Sequence, residues 1–240
     1  MSSEFLSRRD FLKKASLILG GVLISSPVLT KPIFAAGEKI AAMKEKEEEV
    51  SPDEDLMREH GVLRRIILIY REVIHRINEQ QELNPAIINK SATIIRGFIE
   101  NYHEKLEENF IFPRFEKQGQ LITLVSTLKI QHQVGRKLTD SVLELSKPKQ
   151  FKSHNKKLIH ILFQFINMYE PHAAREDTVL FPALRHLVSE NEYKEMGEQF
   201  EAEEHKLFGK SGFEGIVSQV ADIEKELNIY ELSEFTPNSF

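Results

Sequence analysis

An all-α fold is predicted for this chain: an antiparallel four-helix bundle made of two pseudo-repeated helical hairpins, with additional C-terminal helices. Three observations predict it. Apolar residues recur three or four apart through most of residues 53–208, and Val, Ile and Thr show no sustained alternation. A capping residue followed by Pro marks helix starts at Ser51-Pro52 and Asn84-Pro85. The stretch HEKLEENFIFP at residue 103 returns as HAAREDTVLFP at residue 172, with His, Glu, Phe and Pro at the same offsets.

The elements follow in order. Ser51-Pro52-Asp53-Glu54 has capping-box spacing and opens a helix whose inner face carries Leu56, Leu63, Ile67, Tyr70, Ile74 and Ile77. Asn84-Pro85 opens a second through Ile88, Ala92, Ile95, Ile99 and Leu106 to Phe110, and Pro113 is expected to close it. A third runs from about Gln118 to Ser146, with Leu121, Val125, Leu128, Val142 and Leu145 on one face. The fourth begins near Ser153 and carries Leu158, Leu162, Phe165 and Met168 to Pro182 and slightly beyond, with a kink expected at Pro171. Ser189 and Glu192 cap a shorter helix to about Phe208, and the stretch from Gly209 to Gly215 separates it from a last helix near 216–228.

Composition narrows the function classes. The net charge of −5 is spread without a basic block, which excludes a nucleic-acid binder. There is no cysteine, so no disulfide, zinc-thiolate or iron–sulfur site can form, and any metal must be held by nitrogen and oxygen. The chain divides into a signal segment (1–36), a Lys/Glu-rich linker (37–52), the helical domain (53–208) and a C-terminal extension (209–240). The signal segment has a charged start, an apolar run from Ala15 to Leu29 and small residues before Gly37. Its Ser-Arg-Arg-Asp-Phe-Leu-Lys, with paired Arg8-Arg9, resembles the twin-arginine export signal. That resemblance implies the twin-arginine machinery as a partner, a folded cargo, and a periplasmic or otherwise extracytoplasmic address. Cleavage is expected after Ala35 or Ala36, unless the segment is retained as an anchor.

Four of the nine histidines fall on inner helix faces: His60, His103, His132 and His172. The separations from His60 to His132 (72 residues) and from His103 to His172 (69) nearly match, so each hairpin offers one lone His and one His-x3-Glu. Residues four apart share a helix face, so His103 with Glu107, and His172 with Glu176, can each grip one metal. Two buried carboxylates in matched places need a cation or a proton as partner. The adjacent acids Glu108 and Asp177 are alternative donors. His75, His154, His160 and His186 read as surface or packing histidines, and Glu204-His205 as structural before site-forming. Imidazole with carboxylate suits iron, manganese or zinc, and His-x3-Glu differs from the Glu-x-x-His of ferritin-like bundles.

The pattern His, His-x3-Glu, His, His-x3-Glu over residues 53–208 resembles the hemerythrin-like family in its HHE cation-binding branch. The resemblance implies a four-helix bundle around a non-haem di-iron centre that handles dioxygen. His60, His103, Glu107, His132, His172 and Glu176 would then hold two iron ions. Oxygen-carrying members place a further His four residues after the third-helix ligand, where this chain has Arg136, expected at the helix rim pointing to solvent. The leading expectation is a protein that binds or senses dioxygen or a related small ligand. The alternatives are a di-metal oxidoreductase acting on peroxide, nitric oxide or oxygen, and a metal-free helical partner-binding domain.

Overall fold

A computed structural model describes residues 50–151 and 153–237. The expected export signal and nearly all of the charged linker lie outside them. Every regular element among the described residues is helical.

Helix α1 spans Pro52–Asn78, and α2 covers residues 85–118. Helix α3 is Ile122–Leu145, α4 covers residues 155–187, α5 is Glu190–Phe208 and α6 is Gly212–Glu226. The first four make the antiparallel bundle, with α1 against α2 and α4, and α3 against α2 and α4. Helices α5 and α6 pack outside α1 and the first part of α2, and α6 adds Ile216, Val220 and Ile223 to the same apolar core. None of the helices in the described region is long and apolar enough to cross a membrane.

The starts are set as the caps suggest, with one exception. Asn84 accepts a hydrogen bond from the Ala86 N–H, and Ser189 from that of Glu192, each satisfying one orphan amide. Ser51 makes no such bond. Its hydroxyl donates to Asp53, and Asp53 accepts the Glu54 N–H instead, so the capping box does not form. The third helix starts at Ile122 rather than near Gln118, because Gly119 and Leu121 turn the chain with positive φ (66° and 50°).

The two Phe-Pro pairs do not end their helices. Residues 107–111 and 176–180 each form a widened π-helical turn, and the helix resumes as Phe112–Gln118 and Phe181–Leu187, with Pro in the first turn of each. Proline lacks the N–H that an α-helical turn would use, and the widened turn absorbs that loss. A further π stretch, Ile95–His103, leads into the first motif. Pro171 lies within the continuous helix Asn155–Arg175, and the widened turn follows at Glu176.

Candidate metal centre

All six polar residues singled out by spacing are buried, from 0% to 4% exposed, and they meet in the middle of the bundle. Helix α1 brings His60, α2 brings His103 and Glu107, α3 brings His132, and α4 brings His172 and Glu176. His60 and His103 form one pair, with their Nε2 atoms 3.1 Å apart. The rings of His132 and His172 form the other, 5.1 Å between centroids. The carboxylates lie between the pairs. Glu107 turns Oε1 toward His103 Nε2 (3.7 Å) and Oε2 toward His132 Nε2 (3.3 Å). Glu176 Oε2 stands 3.4 Å from His60 Nε2 and 3.1 Å from His172 Nε2. Each hairpin therefore lends its carboxylate to a histidine of the other.

Behind this cluster is a ring of acceptors that spacing did not single out as such. His60 Nδ1 is held by Asp177 at 2.7 Å, His103 Nδ1 by Glu59 at 2.8 Å, His132 Nδ1 by Glu108 at 3.1 Å and His172 Nδ1 by Gln131 at 2.9 Å. In every case the acceptor sits on a neighbouring helix: α4 serves α1, α1 serves α2, α2 serves α3 and α3 serves α4. In the neutral ring an Nδ1–H donated outward fixes the tautomer and turns the Nε2 lone pair inward; His60 reaches that state once it loses its second proton. Glu108 and Asp177 thus orient histidines, while Glu107 and Glu176 face the centre. The doublets Glu107-Glu108 and Glu176-Asp177 carried this signal, because adjacent residues point about 100° apart on a helix.

Two aromatic rings close the cluster. Phe181 stacks on His60 (5.6 Å, 23°) and Phe112 on His132 (5.5 Å, 30°), so the repeated Phe-Pro puts a ring from each hairpin on a histidine of the other. Arg136 does not point to solvent as expected. Its guanidinium bonds Glu104 (2.7 Å) and Glu108 (2.6 Å), and the equivalent Arg64 pairs with Asp177. Tyr169 is buried against the His172 ring and donates to Glu104 Oε1 at 2.7 Å. Arg175 is exposed, as are His75, His154, His160, His186 and His205. Glu204 is buried, accepts the Phe213 N–H and lies with Asp55 and Glu59, outside the central cluster.

The residues fit a cation on the chemistry of their free atoms. Neither oxygen of Glu107 or of Glu176 accepts a hydrogen bond, and His132 Nε2 also lacks a partner. Buried carboxylate oxygens without donors are strongly disfavoured unless positive charge accompanies them. Protonation is correspondingly uneven. Burial works against charge on His60, but its bond to Asp177 and the nearby Glu176 outweigh this and raise its pKa to about 9. Burial lowers His132 to about 4, only partly offset by Glu108. Burial, with Glu176 alongside, pushes Glu107 well above the usual carboxylate range, while the neighbouring His172 and His60 hold Glu176 well below it despite burial. A cation entering this space would displace protons from His60 and Glu107.

A four-helix bundle with a buried histidine–carboxylate cluster at its centre has the architecture and the donor set of a metal-binding protein. The chain matches the hemerythrin HHE cation-binding domain family twice, over residues 51–147 and 123–211, and it belongs to that family. It is also similar to uncharacterised proteins of Mycobacterium bovis and Mycobacterium tuberculosis, 45% identical over 232 residues, covering 96% of this chain and 91% of theirs. No solved structure matches it.

Proposed function

We propose that the chain is an exported non-haem di-iron protein that binds or senses dioxygen or a related small ligand. His60, His103, Glu107, His132, His172 and Glu176 would hold two iron ions. The observation that carries the reading is the set of four bare carboxylate oxygens at the centre, flanked by imidazoles whose outer nitrogens are all engaged. A metal-free partner-binding domain would have to neutralise those oxygens with protons alone, on Glu107 and on the histidines beside Glu176. Nitrogen and oxygen donors admit manganese or zinc as well; family membership favours iron. Iron, when bound, supplies a redox-active Lewis acid that small ligands can reach by coordination. The protein's own part is to fix each imidazole, exclude water with Phe112 and Phe181, and keep Glu107 and Glu176 shared between both hairpins. Arg136 is engaged by two carboxylates, so it is not held in reserve for a bound anion.

Metal analysis of the full chain should find about two metal ions, with an iron-dependent optical spectrum that changes when oxygen meets the reduced protein. Glu107→Ala and Glu176→Ala should each lower metal content, and His75→Ala and His154→Ala should not. Full loading of both glutamate variants would sink the assignment. Oxygen titration followed by evacuation separates binding from turnover. Oxidised protein that persists and consumes added peroxide catalytically would favour the oxidoreductase, and repeated loading and release a reversible carrier. Export rests on Arg8-Arg9 and the apolar run behind them. Arg8→Lys with Arg9→Lys should trap a longer form in the cytoplasm, and normal export of that variant would refute it.

A further inference from the structure

The two hairpins are related position by position, and the relation holds through most of the acceptor ring. Asp177 and Glu108 each follow their His by five residues, and each holds the lone His of the other hairpin. Arg64 and Arg136, each four residues after a lone His, pair with those same acids. Glu59 and Gln131 each precede a lone His by one residue, and each holds the His of its own hairpin's His-x3-Glu. Only in this last pair does the chemistry change: Glu59 is a carboxylate and Gln131 a neutral amide.

The consequence falls on one side of the centre. His60 and His103 both have carboxylates on Nδ1, at 2.7 and 2.8 Å. His132 has a carboxylate at 3.1 Å that is shared with Arg136 and Lys105, as Asp177 is shared with Arg64, and His172 has only the amide. A carboxylate accepting Nδ1–H makes the imidazole a stronger donor through Nε2, whereas an amide orients the ring without lending charge. We propose that Gln131 makes the two metal positions unequal: the His132–His172 side holds its ion more weakly and gives it up first. Gln131 touches neither ion, so it acts as a positioning residue through His172. The proposal rests on the two-metal reading above and adds an order to it.

The full-length chain, loaded anaerobically with Fe(II), is mixed with an excess of a coloured Fe(II) chelator, and release is followed in time. Two phases of equal amplitude are expected. Gln131→Glu should slow the fast phase about ten-fold or more and leave the slow one nearly unchanged, as outer-sphere partners change metal affinity by roughly 10- to 100-fold. Asp177→Asn should quicken the slow phase instead. A merely structural role for Gln131 cannot produce a selective slowing, because damage to packing speeds release. Two ions leaving in a single phase, or Gln131→Glu changing both phases alike, would overturn the inequality while leaving the two-metal reading intact. Binding of one ion or none would overturn that reading and the inequality with it.

Discussion

At the scale of single residues, two glycines of similar helical setting should respond to alanine with opposite signs. A Cβ on Gly61 would meet nothing within 4 Å, so Gly61→Ala should stabilise the protein by about 0.5–1 kcal/mol through helix propensity. A Cβ on Gly135 would stand 1.9 Å from the Tyr169 hydroxyl and 2.7 Å from its ring carbon Cζ. That ring is wedged between His172 and Glu104, so Gly135→Ala should cost about 1–3 kcal/mol of overpacking, larger than the propensity gain. Denaturant unfolding measures both, and a stabilised Gly135→Ala would mean that Tyr169 is freer than its contacts show. At this scale the sequence was partly legible. The four inward histidines and two glutamates stood out because helical spacing and the repeat mark faces. Glu59 and Gln131 did not, because an outer-sphere partner reaches across to another helix and leaves no periodic trace on its own. Arg136 was misjudged for the same reason, since its two carboxylate partners lie on α2.

At the scale of elements, the start of α1 is tied to the end of α4 and to α5 by one carboxylate. Asp53 accepts hydrogen bonds from Ser51 (2.6 Å) and from Tyr193 on α5, and lies 3.3 Å from Arg185 at the end of α4. Burial alone would raise the Asp53 pKa, but these partners lower it below the usual value of 3.8. A depressed folded-state pKa contributes stability that is complete above the unfolded value and disappears as pH falls through the folded one. Asp53→Asn should therefore destabilise the protein at neutral pH by about 1–2 kcal/mol, with the gap to wild type closing below about pH 4. Thermal melts across that range measure it, and an unchanged gap at low pH would assign the effect to packing instead. Helix identities and most boundaries were readable from caps and apolar spacing. The continuation past Phe112-Pro113 was not, because proline signals a lost hydrogen bond and the compensating π turn has no sequence marker of its own.

At the scale of the whole molecule, the bundle buries two carboxylates and four imidazoles where an apolar core would be more stable on its own. Metal binding to the folded state alone would offset that cost, by about 2.7 kcal/mol at a hundred times Kd and about 4.1 at a thousand times. Stripping metal with a chelator should accordingly lower the melting temperature, and restoring metal should return it. Glu107→Gln should show the reverse balance: lower metal content, but a metal-free form about as stable as the stripped wild type, since burial already holds Glu107 protonated and neutral there and the amide keeps its shape. Equal melting of stripped and loaded wild type would separate the cluster from stability altogether.

Because every outer nitrogen is held by the next helix round, and each glutamate reaches into the opposite hairpin, neither half of the chain owns a finished coordination shell. Two separately expressed fragments, divided in the connection between α2 and α3, would each present half the donors and none of the exchange between halves. Metal uptake in such a split protein should rise with the product of the fragment concentrations, so iron would report the meeting of the two pieces.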